Sequence, residues 1–170
     1  MEEILHEVPV KTLTMAPLED FEKKTPLLTA GDRARLNTMT IGWGGLGTLW
    51  GKPVCTVYVR PQRYTYGFME RSAYFTVSFF DADYRAALQI CGSKSGREVD
   101  KVGKCGFTTA YAAGDAPYFT QARRVLVCRK LYAADFREEQ FADRALAAAV
   151  YPEKDYHRTY IGEIVQVLQK

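Results

Sequence analysis

Pro53 follows Gly47 by only six positions, and the strand-like run Val54-Cys-Thr-Val-Tyr-Val59 begins directly after it. A crossover between parallel strands needs about a dozen residues, so the strands flanking this interval are expected to run antiparallel. The point matters because Gly42-Trp43-Gly44-Gly45-Leu46-Gly47 spells G-x-G-x-x-G after the strand Leu36-Asn-Thr-Met-Thr-Ile-Gly-Trp43. A dinucleotide fingerprint also requires a helix opening on those glycines and an acidic residue about 20 positions further on. Proline and a new strand stand where the helix should be, and the acidic position falls near Gly67. The glycines therefore read as a tight connection between neighbouring strands, or a close approach of backbone to a ligand.

The rest of the chain repeats this economy. Val8 to Met15 reads as an edge strand with Pro9 near its start, and residues 26–36 as a connection. Tyr74-Phe-Thr-Val-Ser-Phe-Phe80 is rich in β-branched and aromatic residues, the mark of a strand. Arg123 to Ala133 and Thr159 to Leu168 form two more strands, the last with Ile161, Val165 and Val167 alternating against polar positions. Helices are expected over Thr65 to Arg71, over Asp83 to Cys91 with Asp83 as N-cap and Gly92 as stop, and over residues 138–150. A short helix near Glu98 to Lys104 interrupts an otherwise polar stretch. Strands outnumber helices and their links are short, so the expected class is mainly β: an antiparallel sheet with peripheral helices.

Length and composition bound the function. The 170 residues suit a single domain, 1–170, with 47% hydrophobic and 25% charged residues. Net charge is +3 without a run of like charge, which gives no footprint for nucleic acid. The start, Met1-Glu-Glu-Ile-Leu-His-Glu, lacks an apolar leader, and no stretch is apolar for long enough to span a bilayer. Cys55, Cys91, Cys105 and Cys128 form no C-x-x-C pair and no zinc spacing, so free thiols in a cytoplasmic protein, without a metal, are expected. Eleven tyrosines and nine phenylalanines suit a flat ligand.

Three segments carry candidate chemistry. Asn37-Thr38-Met39-Thr40 holds the only asparagine of the chain, and strand alternation puts Asn37 and Met39 on one face, Thr38 and Thr40 on the other. Such hydroxyl, amide and backbone groups can bond the polar edge of an isoalloxazine. In Val59-Arg60-Pro61-Gln62-Arg63-Tyr64-Thr65, two arginines flank a turn and Thr65 is placed as N-cap of the following helix. Free N–H groups, a hydroxyl and guanidinium groups together suit a phosphate. Cys91 to Lys101 is a glycine-serine loop in which Arg97 and Lys101 share a face if the segment is helical. His157 precedes the last strand, where it could receive a nicotinamide or polarise a substrate; His6 lies in a polar terminus.

Taken in order, Asn37–Trp43, Val59–Thr65, Phe75–Phe79, Ser95–Lys101 and His157–Glu163 resemble the flavin reductase-like family of FMN-binding split β-barrels, nearest its flavoredoxin-type branch. The resemblance implies a split barrel, a homodimer and FMN near the subunit interface. It implies Asn37, Thr38, Met39, Thr40 and Trp43 around the isoalloxazine, Arg60, Arg63, Tyr64 and Thr65 at the phosphate and ribityl chain, and Ser95 and Lys101 closing the site. It implies an oxidoreductase passing hydride from NADH or NADPH through FMN to free flavin, a metal complex or a protein. The alternative is an FMN electron carrier reduced by a partner protein. Reductases of the group usually read Gly-Asp-His where this chain reads Asp155-Tyr156-His157, a departure that bears on direct NAD(P)H use.

Overall fold

The computed structural model describes residues 4–170; the first three residues of the acidic start, Met1 to Glu3, lie outside the described residues. In chain order the elements are β1 (His6–Val8), α1 (Pro17–Glu22), β2 (Leu27–Gly31), β3 (Leu36–Thr40), β4 (Gly44–Leu49), β5 (Lys52–Val59), α2 (Tyr64–Arg71) and β6 (Tyr74–Phe79). There follow α3 (Arg85–Ser93), α4 (Lys101–Cys105), β7 (Thr109–Tyr111), β8 (Pro117–Phe119), β9 (Arg124–Asp135), α5 (Arg144–Val150) and β10 (Arg158–Gln169).

One antiparallel sheet runs β3-β2-β6-β9-β10-β5-β4, with β1 paired to the far end of β10. Its two outermost strands, β3 and β4, are consecutive in the chain and joined only by Ile41, Gly42 and Trp43. Seven strands laid flat would separate them by about 29 Å, whereas the link reaches at most about 14 Å. The sheet must therefore curl until its edges approach, yet β3 and β4 do not pair. The result is an open, split β-barrel.

Alternation then sorts side chains into two cores. Val57, Val59, Phe75, Val77, Leu126, Cys128 and Tyr160 point into the barrel, with Phe21 of α1 and Phe68 and Met69 of α2 at its margins. Val125, Val127, Leu27, Leu88, Phe107 and Phe119 make a second core outside it, beneath α3, α4 and the β7–β8 hairpin. Gly162 lets β10 cross this crowded wall, since a Cβ there would lie 2.7 Å from the Phe75 ring and 2.8 Å from the Cys128 Cβ. Register shifts after Ile161 and Ile164 bend β10, so that it pairs with β5 at one end and β1 at the other.

Several sequence expectations are corrected here. Residues 27–31 are a central strand, not a connection; β2 is buried on both faces and so shows no alternation. The glycine-dense turn is itself strand β4, whose register with β5 includes Thr48 opposite Pro53. The N-terminal strand stops at Val8, because Pro9 opens a short 3-10 turn over Val10–Thr12. Asp83 does not cap α3; it sits inside a 3-10 turn, Ala82–Tyr84, that runs straight into the helix, and Gly92 lies within the helix. The helix expected over residues 138–150 is confined to Arg144–Val150, because Asp143 caps it by accepting the Leu146 N–H at 3.0 Å.

Candidate functional site

Where the barrel is split, the rim of β3, the Ile41–Trp43 link, the Arg60–Thr65 turn, the 93–97 loop and His157 enclose a cleft in two connected halves. The first half, about 390 Å³, is lined by Met39, Thr40, Ile41, Gly42, Trp43, Tyr58, Arg60, Gln62, Arg63 and His157. The second, about 230 Å³, is lined by Asn37, Met39, Gln62, Arg63, Tyr64, Thr65, Ser93, Lys94, Ser95, Gly96, Arg97 and Lys101. Met39, Gln62 and Arg63 belong to both. Among the described residues, no carboxylate lines either half.

In the second half, the Asn37 amide donates to Thr65 Oγ1 at 2.8 Å, tying β3 to the first turn of α2. Thr65 is thus not the N-cap: α2 starts one residue earlier, Arg63 occupies the cap position, and the Thr65 hydroxyl is an acceptor for Asn37. The Tyr64 hydroxyl accepts from Arg35, and the Arg97 guanidinium lies 4.9 Å over the Tyr64 ring. Ser95 Oγ accepts the Arg97 N–H at 3.2 Å. Gly96 packs where a Cβ would be 2.0 Å from Asn37 Oδ1, which is how the loop reaches the floor of the cleft. The Arg63 guanidinium makes no hydrogen bond or ion pair among the described residues, although it faces both halves; only the Arg63 backbone is bonded, to Arg60 O and from Tyr66 N–H.

Lys101 opens α4, after Asp100 caps that helix. Its Nζ donates to Thr38 O and to Cys91 O, both at 2.8 Å. Burial lowers its pKa, an effect that the nearby Cys91 and Cys105 thiols partly offset and Arg63 reinforces. Because α4 begins at Lys101, Arg97 lies outside the helix, and the two do not share a helical face. Burial pushes the Cys91 thiol up to about 12, and Cys105, with its sulfur 3.9 Å away, adds to the rise; Cys91 is therefore no nucleophile at neutral pH.

The Thr38 carbonyl that meets Lys101 points away from β2, so its own N–H and both backbone groups of Thr40 point the same way. Ile41 N–H, one residue on, turns back to Pro26 O, as the alternation requires. The open rim of β3 thus offers backbone donors and acceptors to the cleft. The Thr38 hydroxyl does not join them; it bonds Thr29 Oγ1 at 2.9 Å on the outer face.

At the first half, Arg60 Nη1 is 2.5 Å from Asp155 Oδ2, its Nη2 donates to Val150 O, and its guanidinium covers the Tyr151 ring. Arg60 therefore closes α5 and faces the half lined by Trp43 and His157, not the half that contains Thr65. His157 is buried; its Nδ1 is 2.7 Å from Tyr151 Oη and its ring 5.3 Å from that of Trp43. Burial, with help from Arg60, pulls the His157 pKa down to about 4, so the imidazole is neutral at pH 7. The segment between β9 and β10 packs through Phe136, Phe141, Tyr151 and Tyr156. Sequence reading missed Tyr151, because nothing local marks a tyrosine at a helix end as the partner of a histidine six residues on.

The residues of the Flavin reductase like domain match positions 18–170, and the chain belongs to that family. Its fold is similar to a flavoredoxin from Methanosarcina acetivorans, with 23% identity, TM-score 0.69, and 85% of this chain and 67% of that one covered. The flavoredoxin of Desulfovibrio vulgaris (Miyazaki F) gives 24% identity and TM-score 0.65, covering 84% of this chain and 67% of that one. A Streptomyces globisporus NADH:FAD oxidoreductase, solved with NAD and FAD fragments, gives 14% identity and TM-score 0.63, with 86% and 75% covered. No curated protein sequence matches the chain. Among the described residues, no helix is long and apolar enough to cross a membrane.

Proposed function

We propose that the cleft holds FMN and that the protein is a flavin-dependent oxidoreductase, reduced by NADH or NADPH and passing electrons to a small-molecule or protein acceptor. The observation that carries this reading is the pair of adjoining cavities, free of carboxylates among the described residues, with an aromatic half at Trp43 and a cationic half at Lys94 and Arg97. That polarity fits a planar ring joined to a phosphate. Arg63, Lys94, Ser95 and Arg97 would hold the phosphate through charge-assisted bonds. The outer rim of β3 and Met39 would orient the ring, with Trp43 and His157 covering its end. Lys101, bound to Thr38 O, would stiffen that rim and place one positive charge behind it. FMN, when bound, supplies the hydride and single-electron chemistry, and the protein supplies position and field.

A second reading, an electron carrier reduced by another protein, is favoured by Tyr156 standing where reductases of this group usually have Asp. Its ring lies 4.8 Å from that of Tyr151, as part of the aromatic cluster behind His157. The absorption spectrum of the purified protein, before and after anaerobic NADH, separates the readings. A yellow protein that bleaches is a reductase, a yellow protein that does not is a carrier, and one that stays colourless after added FMN refutes both. A homodimer is part of the proposal: Trp50 and Tyr132, 57% and 48% exposed with rings 6.4 Å apart, and Trp43, 55% exposed at the cleft, are apolar groups that a second copy would cover. Light scattering tests it, and a monomer at assay concentrations rejects it. The four unlinked cysteines support a reducing, cytoplasmic setting.

A further inference from the structure

Tyr151 ends α5 and does not line the cleft, yet its hydroxyl is 2.7 Å from His157 Nδ1 and the two rings meet edge to face at 5.5 Å. Two proton arrangements satisfy that distance. If Nδ1–H donated to the phenol oxygen, the phenolic proton would need another acceptor, and no other acceptor meets Tyr151 Oη among the described residues. A buried donor left without a partner keeps its full desolvation penalty, which disfavours this arrangement. If instead Tyr151 donates to a bare Nδ1, every group is satisfied. Burial raises the Tyr151 pKa, only partly offset by the His157 backbone N–H and Arg60, so the phenol keeps its proton at neutral pH. With Nδ1 accepting, the imidazole proton sits on Nε2, which bonds no described residue while His157 lines the cavity beside Trp43.

We propose that Tyr151 is a positioning residue that fixes His157 as the Nε2–H tautomer, presenting a neutral hydrogen-bond donor to the carboxamide oxygen of a nicotinamide at the ring end of the cleft. The use of that donor rests on the flavin-reductase reading; the tautomer does not. Arg60 stacks on Tyr151 and holds Asp155, so phenol, imidazole and the loop before β10 form one braced unit. The charged groups that act on His157 are Arg60 and Arg63, which oppose its protonation, and Asp155, which favours it. Tyr151→Phe leaves all three in place and removes only the hydroxyl.

The test is nitrogen NMR of protein labelled with ¹⁵N-histidine, in a His6→Gln background so that one imidazole reports. The expected result is an acceptor-type Nδ1 and a protonated Nε2, unchanged from about pH 5 to 8. Tyr151→Phe is expected to show a mixture of tautomers and a ring that protonates at higher pH, because a donor that favours the neutral form is gone. A protonated Nδ1 in the parent protein, or a Tyr151→Phe spectrum identical to it, overturns the proposal. The parent spectrum decides the tautomer even if Tyr151→Phe fails to fold. In protein loaded with FMN, Tyr151→Phe should slow bleaching by NADH about tenfold, with FMN affinity unchanged. No bleaching in the parent refutes nicotinamide as the ligand of this donor and leaves the tautomer assignment to the NMR result.

Discussion

The two halves of the cleft place their polar groups in opposite ways. At the ring end, Arg60 and His157 stand at the ends of the long strands β5 and β10 and are already bonded within the protein, to Asp155 and Val150 O and to Tyr151. At the cationic end, Arg63 sits at the cap of α2 and Lys94 and Arg97 lie on a loop. The Arg63 guanidinium and the Lys94 amine have no partner among the described residues, and Arg97 Nη1 reaches only Gln62 O, at 3.3 Å. A side chain satisfied by its own protein is set to orient; one left open is set to meet an anion. Lys101 crosses this division, since it lies at the cationic end yet is spent on two carbonyls.

Lys101 therefore offers the largest test of the contrast. Lys101→Met should leave Thr38 O and Cys91 O without their charged donor and lower stability by about 3–5 kcal/mol in urea unfolding. An unchanged midpoint would return Lys101 to the open set. The satisfied end should next reveal itself through pH. His157 titrates at about 4 in the folded protein and near 6.5 when unfolded. Between those values the unfolded chain binds the proton and the folded one does not. The His157 contribution to stability should then fall as pH drops from about 6.5 to 4, by at most about 3 kcal/mol, and flatten below. Carboxylates held low by cations, such as Glu163 beside Arg129, weaken the fold only at more acidic pH. His157→Gln should remove the slope above pH 5, and a slope that survives it has another source.

The open end should respond in binding rather than stability. Arg63→Gln is expected to weaken FMN binding by about 1.5–3 kcal/mol, roughly 10- to 100-fold, while leaving the melting temperature in place. Arg60→Gln should do the reverse, lowering the melting temperature through the lost closure of α5 and changing affinity less. If the two variants exchanged these profiles, the division between the halves would fail.

The sequence showed the open end more clearly than the closed one, and the reason is local. Arg63, Tyr64, Ser95 and Lys101 stand in turn and loop signatures read within a few residues, and the short link to Pro53 already excluded a parallel fold. What could not be read was partnership at long range. The span from Asn37 to Thr65 is 28 residues and that from Arg60 to Asp155 is 95, so neither bond leaves a periodic trace. Strand β2 escaped for the related reason that burial on both faces removes alternation, and β4 because glycines carry no side-chain pattern at all. Thr65 was placed as a cap from its residue type, but a hydroxyl goes to the strongest unmet donor nearby, and here that is the Asn37 amide.

Ser95 gives the smallest and finest test. Its carbonyl accepts the N–H groups of Glu98 and Val99, and its hydroxyl adds only a 3.2 Å bond to the exposed Arg97 N–H. The backbone bonds alone hold the turn, so Ser95→Ala should cost under about 0.5 kcal/mol of stability. If the hydroxyl also donates to the phosphate, FMN affinity should fall by about 1 kcal/mol, roughly fivefold. A loss in affinity without a loss in melting temperature would place Ser95 with Arg63 among the open groups. A matching loss in both would place it with Lys101, and the boundary between orienting and binding residues would then run through the loop rather than between the halves.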